Sequence, residues 1–272
     1  MSFLINPYAY AGPVLLTPAV ITTRLWLDAA DATTITTVSN AVSEWGDKSG
    51  NDNHFSQTTS TSRPTLDNSG VNGKPALVFD GVNDSLAAGS ALIGTTHSLF
   101  IVFTPTIEAV TGVLMGQWQS GQTGRFLFAT NQNCTGETSS GRLNAFNSTT
   151  TQGACAGAGS GLAIDTSIAN TPTIIESICT TGSESWKLLK DGTEYESASV
   201  TAVFQGVGTA LGTTSAIGNS LYYDGKMHEV ILTDSVVSTD DRQRIEGYLA
   251  HKWGLTANLP AGHPYKTTPP YV

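Results

Sequence analysis

Charged side chains are scarce in this sequence, and their scarcity excludes several functions. Only 13% of the 272 residues are Asp, Glu, Lys or Arg, and the formal net charge is −9. No run of Lys or Arg occurs, so the chain lacks the basic face that nucleic-acid binding requires. No apolar run approaches the roughly 18 residues that would cross a bilayer. We therefore predict no nucleic-acid partner and no membrane insertion.

Cysteine and histidine are also few, and neither forms a metal-binding or nucleophilic motif. The three cysteines and five histidines show no zinc-like spacing and no His-Glu-x-x-His pattern. Cys134 and Cys155 flank one polar loop and either pair or stay free, whereas Cys179 ends an apolar run and is predicted to be buried. Residues 1–8 lack the positive and long apolar regions of a secretory signal.

Closely spaced carboxylates, which a glycosidase needs on both sides of the scissile bond, occur at two places. Glu194 and Glu196 lie on a predicted strand and point to one face, while Asp240 and Asp241 lie in the first turn of a predicted helix. Solvated surface carboxylates explain both pairs better, since negative charge is favourable at a helix start. We predict no catalytic residue, no required cofactor and no enzyme activity.

Short runs of β-favouring residues between Gly-rich turns fill most of the chain. The continuously apolar run 98–104 predicts a central strand that is buried on both faces. Asp191-Gly192, between residues 186–190 and 193–196, predicts a hairpin with a two-residue turn. Ser238 and Gly254 are the predicted cap and stop of one helix, whose apolar face includes Trp253.

About fourteen such strands and the helix predict an all-β fold, a two-sheet antiparallel jelly-roll sandwich with one C-terminal helix. We divide the chain into an extended N-terminal arm (1–22), the jelly-roll domain (23–265) and an extended C-terminal tail (266–272). The arm has too many apolar side chains for a solvated tail, so we expect it to dock on its own domain or on a neighbouring subunit. The polar, Gly-rich stretch 130–161 is typical of a functional or partner-ordered loop.

Two polar turns between apolar runs offer oxygen ligands of the kind that Ca²⁺ prefers. The candidate metal ligands are Asp47, Asn51, Asn53, Asp80, Asn83 and Asp84. The turns suggest that one end of the β-structure gathers these oxygens. The alternative is that the same side chains only bond nearby backbone amides and stabilise the turns.

Sugar recognition would use exposed aromatic side chains at the rim of the sandwich. The candidates are Trp118, Tyr222 and Tyr223, although single aromatics on strands more often belong to a core. Periodic apolar surroundings assign the remaining tryptophans, Trp26, Trp45, Trp186 and Trp253, to packing.

Several segments together resemble the concanavalin A-like (laminin-G-like) jelly-roll superfamily. They are residues 25–31, 45–54, 63–64, 73–75, 79–86, 191–192, 217–218, 223–226, 228–232 and 244–254. The resemblance covers about residues 24–265 and implies two curved antiparallel sheets. Members of this superfamily include glycan binders, adhesion modules, glycosidases and virion proteins. The segment Ile5-Asn-Pro-Tyr8 further resembles the start of tailed-phage structural proteins.

These features predict a non-enzymatic virion protein, a head-decoration or tail-associated component, possessing a lectin-like jelly roll. Its expected partners are like subunits and other particle proteins, reached through the arm, together with surface glycans. The expected location is the virion, assembled in the host cytoplasm. The alternatives are a free-standing, extracellular glycan-binding or adhesion module and, third, a glycoside hydrolase.

Overall fold

The architecture is an antiparallel β-sandwich with one C-terminal helix, which confirms the predicted fold class. A computed structural model describes residues 14–106, 112–118, 125–130, 143–148, 161–164, 168–180, 182–200, 208–214 and 221–272. Cys134 and Cys155 lie outside these ranges.

Seventeen strands and one α-helix occur among the described residues. The strands are β1 (Leu25–Asp28), β2 (Ile35–Val38), β3 (Ala41–Trp45), β4 (Phe55–Ser56), β5 (Thr65–Asp67), β6 (Ala76–Asp80), β7 (Leu86–Ala88), β8 (His97–Pro105), β9 (Gly112–Gln117), β10 (Arg125–Thr130), β11 (Leu143–Ser148), β12 (Gly161–Ile164), β13 (Thr173–Cys179), β14 (Gly182–Lys190), β15 (Thr193–Val200), β16 (Thr209–Leu211) and β17 (Asp224–Thr233). The helix is α1 (Thr239–Trp253), and four short 3₁₀ turns lie at Pro18–Val20, Ala32–Thr34, Ser60–Ser62 and Val71–Gly73.

Strand pairing defines two sheets that meet at one edge. The helix-side sheet has the order β15-β14-β13-β8-β17. On the edge of β17 away from β8, the first residues of β17 pair with β6 and its last residues pair with β1. The opposite sheet has the order β12-β11-β10-β9-β16-β7-β4. Strand β3 pairs with β4 and with β5, which itself pairs with β6, so the two sheets join there.

The central strands of the helix-side sheet, β13, β8 and β17, are buried on both faces, as the sequence of β8 predicts. Leu99, Ile101 and Phe103 point into the core between the sheets, whereas Phe100 and Val102 point outward under the helix. Side chains alternate along a strand, so a strand covered on both faces must be apolar throughout. The predicted packing of the tryptophans is confirmed: Trp45 and Trp186 fill the inner core, and Trp26 and Trp253 lie under α1.

Local signals set the helix and the main hairpin. The Ser238 hydroxyl accepts the backbone N–H of Asp241, and Gly254 ends the helix with φ +72°. Asp191 and Gly192 have φ values of 51° and 78°, the backbone that a two-residue primed turn requires. Both predictions are confirmed.

The two termini pack against each other on the outside of α1. The Leu16 amide donates to the carbonyl of Pro270 (3.0 Å), and the Val272 amide donates to that of Val14 (2.9 Å). Leu16 is only 2% exposed. The described end of the arm therefore docks on its own domain, which was one of the two alternatives. The boundaries at residues 22 and 265 stay predictions.

Candidate functional site

The first polar turn is held together by its own carboxylate. Asp47 accepts the backbone amides of Trp26 (2.9 Å), Ser49 (2.9 Å) and Asn53 (3.0 Å). The side-chain amides of Asn51 and Asn53 donate to the Arg24 carbonyl, at 3.2 and 2.9 Å. These residues therefore stabilise the turn, as the alternative to calcium binding predicted.

The second polar turn uses its carboxylates in the same way. One oxygen of Asp80 accepts the backbone amides of Val82, Asn83 and Asp84, and Asp84 accepts the amide of Asp80 (3.1 Å). Burial alone would raise the pKa of Asp80, but the three amides hold it below its usual value. Burial, and then the charge of Asp80, raise the pKa of Asp84 to about 6.

The structure does not bring the two turns together. The first lies beside Trp26, which pairs with Ile231, whereas Asp80 pairs with Asp224. These two positions are about 23 Å apart along β17, at roughly 3.3 Å per residue. The expectation that one end of the sandwich gathers all six ligands is therefore wrong, and the six do not fit one calcium ion. No group of three or more His, Cys, Asp or Glu suited to a metal occurs within the described part of the chain. A calcium ion at either turn alone stays a prediction.

Of the three aromatic candidates for sugar binding, Tyr223 has to be withdrawn. Its ring is 0% exposed in the inner core, and it lies 6.0 Å from Phe79 and 6.4 Å from Phe103 between ring centroids. Residues paired across a bridge point to the same side of a sheet, and Val113, which pairs with Tyr222, faces away from the inner core, so Tyr222 lies on the outer side. Tyr222 is half-buried and forms a parallel bridge with Val113.

Trp118 lies on the same outer face of the opposite sheet. Its half-buried ring packs against a small cluster of Val113, Leu127 and Ala129, which face away from the inner core but are themselves buried. Tyr222 is bridged to Val113 near the start of β9, and Trp118 follows the end of β9. Two aromatic side chains therefore mark the two ends of one outer face, about 16 Å apart at roughly 3.3 Å per residue.

Neither acidic pair forms a catalytic arrangement in the described residues. Glu194 accepts from Lys187 (2.8 Å) in an exposed ion pair, and Asp241 accepts from the Ser238 hydroxyl (2.9 Å) at the helix start. The side chain of Glu196 lies outside the described residues.

Sequence reasoning missed a buried charged group under the helix, here called the Glu229 cluster. Glu229 accepts four hydrogen bonds, from the ring nitrogens of Trp26 (2.8 Å) and Trp253 (2.7 Å), the Tyr248 hydroxyl (2.8 Å) and Lys252 (2.7 Å). A register shift in β17 between Met227 and Glu229 marks this position. The remaining members, Asp28 and Lys48, extend the cluster: Asp28 binds Lys252 (2.6 Å) and Lys48 (2.9 Å).

A second buried group, the Glu176 cluster, consists of Glu176, Arg242, Glu246 and His263. Arg242 binds Glu246, His263 lies 2.7 Å from Glu246, and a nitrogen of Arg242 lies 4.0 Å from Glu176. The sequence contains one signal for both clusters, which is a glutamate inside an otherwise apolar strand. A glutamate is almost never fully buried unless it is paired, so such a position indicates a buried polar cluster.

Two pockets adjoin the helix. One, of about 380 Å³, lies at the helix start; Ile178 and Leu189 contribute apolar walls, and Lys187, Glu194 and Arg242 contribute charge. The other, of about 330 Å³, lies between the termini and the helix, beside Leu16, Tyr248 and Pro270. Neither pocket contains the aromatic candidates. No helix of the described residues is long and apolar enough to cross a membrane.

Comparison with known proteins supports the fold. No protein-family model and no curated protein sequence matches the chain. Among solved structures, domain 4 of the extracellular arabinanase AbnA from Geobacillus stearothermophilus, in complex with arabinotriose, is 12% identical with a TM-score of 0.55. The match covers 80% of this chain and 94% of that domain.

Two further structures are similar at the level of the fold. Trypanosoma rangeli sialidase in complex with sialic acid gives a TM-score of 0.56 at 10% identity, over 88% of this chain and 34% of the sialidase. The receptor-binding domain of botulinum neurotoxin type G has a TM-score of 0.50 at 8% identity. The match covers 83% of this chain and 51% of the neurotoxin chain. The chain thus has a jelly-roll sandwich fold, and these structures give the phage-specific part of the resemblance no support.

Proposed function

We propose that this chain is a glycan-binding module that binds sugar at the two ends of β9, on the outer side of its opposite sheet. The observation on which the proposal rests is the pair of half-buried aromatic side chains, Trp118 and Tyr222, at the two ends of β9. Aromatic rings give apolar contact area with a polar tip, which suits a ligand that has both C–H faces and hydroxyls. The fold shared with an arabinanase domain in complex with arabinotriose supports the same function.

We further propose that the module has no hydrolytic activity. Glu194 is occupied in a surface ion pair, and the closely associated carboxyls of Glu176 and Glu246 are fully buried under α1. A glycosidic bond must reach both carboxyl groups of a hydrolase, so buried carboxyls cannot serve. Of the alternatives predicted from the sequence, the glycan-binding module is the one that the shared fold supports. The particle role is predicted from the lack of a catalytic motif and of a secretory signal and from the apolar arm 1–22, of which residues 1–13 lie outside the described residues.

Binding of the intact protein to a panel of immobilised glycans tests the proposal, and calorimetry on each hit gives an affinity. Trp118→Ala and Tyr222→Ala should each weaken binding about five- to thirtyfold, since losing an aromatic contact costs about 1–2 kcal/mol. Tyr195→Ala is the matched control, because Tyr195 is an aromatic residue that is 44% exposed on the other sheet. Equal loss in all three variants, or no binding by the native protein, would contradict the proposal. Release of reducing ends from a bound glycan would contradict the absence of hydrolysis.

A further inference from the structure

The Glu176 cluster joins three parts of the chain that are distant in sequence. Glu176 lies on β13, Arg242 and Glu246 lie on α1, and His263 lies on the C-terminal segment, residues 255–272. The side chains of both glutamates are 0% exposed and that of His263 is 2% exposed. Arg242, at 20%, is the member of the cluster that reaches the surface.

Charge in this cluster is not balanced when both carboxyls are ionised. Glu246 has two close partners, Arg242 and His263, the latter charged only when protonated. Within the described residues no donor fills either oxygen of Glu176 while both carboxyls are ionised. The Arg242 nitrogen that binds Glu246 also lies 4.0 Å from Glu176, so the two carboxyls lie around one guanidinium nitrogen. Burial, and then repulsion from Glu246, raise the pKa of Glu176 well above its usual value. A neutral Glu176 therefore fits this environment, and an ionised one does not.

Other charged groups nearby are already paired and do not compensate Glu176. On the hairpin turn, Lys190 lies 3.3 Å from Asp191, which also accepts the Ile174 amide. Two further ion pairs and one ring contact lie at the edge of the cluster. They are Lys187 with Glu194, Arg244 with Asp241, and the ring of Tyr265 against His263.

We propose that Glu176 and Glu246 share one proton, and that this proton fastens the C-terminal segment to the helix and the sheet. Loss of the proton places two negative charges side by side in the interior. Because Glu246 also binds His263, their repulsion loosens the contact that holds the segment. We call the contact between Glu176, Glu246 and His263 the latch. Pro270 and Val272 of this segment form hydrogen bonds with Leu16 and Val14, so the latch also controls how firmly the N-terminal arm is held.

The direction of the pH dependence follows from the raised pKa of Glu176. Its contribution to stability is fully present below the ordinary glutamate pKa of 4.5 and is lost as the pH rises towards the folded value. The latch is therefore closed in acid and opens towards alkaline pH.

Hydrogen exchange of residues 255–272 in the full-length protein, corrected for intrinsic exchange rates, tests the latch. Between about pH 5 and about pH 9, the native protein should lose protection by up to tenfold per pH unit, the effect of one proton. Glu176→Gln, which is neutral at every pH, should make this profile markedly less steep. Glu194→Gln is the matched control and should follow the native profile, since Glu194 is exposed and paired with Lys187.

The latch is overturned if Glu176→Gln retains the native pH profile. It is also overturned if protection falls equally in β8 and β17, since the whole domain then opens rather than the segment. Should Glu176→Gln fail to fold, carboxyl-carbon NMR of the native protein decides. The carboxyl of Glu176, followed through its assigned carbon signal, must stay protonated well above the ordinary glutamate pKa of 4.5, and ordinary titration of this group near pH 4 would also overturn the latch.

Discussion

The Glu229 and Glu176 clusters lie under the same helix, yet their buried carboxyls are accommodated in opposite ways. Glu229 accepts four hydrogen bonds and lies 2.7 Å from the Lys252 ammonium. Glu176 has no hydrogen-bond partner within the described part of the structure. A buried carboxylate is tolerable when its lone pairs are filled, and otherwise the group must take up a proton. Burial raises the pKa of both glutamates, but Lys252 and Trp26 counter that rise at Glu229, whereas Glu246 adds to it at Glu176.

Position on the helix explains part of the difference. Lys252 lies in the last turn of α1, where the helix dipole favours a positive charge, and from there it reaches Glu229. Arg242 lies near the helix start, binds Glu246, and comes no closer than 4.0 Å to Glu176.

Replacing Trp253 should give the largest loss of stability, because it removes core volume and a partner of Glu229 together. We expect Trp253→Ala to lower the free energy of unfolding by about 5 kcal/mol, measured by urea denaturation. Trp253→Phe keeps most of the volume but loses the N–H, so it should cost about 1–3 kcal/mol. A loss below about 1 kcal/mol in Trp253→Ala would mean that the ring is not part of the core.

Replacement of Glu229 or of Glu176 by glutamine should change the free energy of unfolding in opposite directions. Glu229→Gln removes the carboxylate that accepts four hydrogen bonds, one of them from Lys252, and puts an amide donor among those donors, so it should cost about 3 kcal/mol. Glu176→Gln removes the charge that the interior does not accommodate, and should stabilise the protein by about 1 kcal/mol at alkaline pH. Urea denaturation of the native protein and both variants at one alkaline pH measures the two changes. If both variants are stabilised, or both destabilised, the prediction is contradicted.

Truncation of the arm should have the smallest effect and locates the boundary of the domain. Removing residues 1–13 should change the free energy of unfolding by less than about 0.5 kcal/mol. Removing residues 1–20 also removes the buried Leu16, and should cost about 1.5–3 kcal/mol. Equal stability of the two truncated proteins would mean that Leu16 contributes nothing to the domain.

Much of the fold could be predicted because its signals are local. The hydroxyl of Ser238, the Asp191-Gly192 turn and the unbroken apolar run of β8 each act within a few residues. The sandwich itself follows from many such strands, since two-sheet packing is the usual way to bury them.

The site could be predicted only in part because it depends on strand pairing across the chain. Tyr222 and Tyr223 are adjacent and chemically identical, and only the bridge to Val113 tells which one faces outward. The two polar turns look alike in sequence, but β17 holds them at opposite ends. Glu176 stands out within its apolar strand, yet its partner His263 is unrecognisable before the C-terminal segment is placed.

Sugar binding at the outer face is tested most directly by fluorine NMR of protein in which the five tryptophans are replaced by fluorotryptophan. Four of the rings are in the two cores and Trp118 is half-buried on the outer face, so the signals report on different places at once. Addition of a glycan that binds in the panel should shift one signal, which the Trp118→Phe variant assigns to Trp118. A bound glycan that leaves the Trp118 signal unmoved, or that shifts only a core signal, would contradict binding at this face.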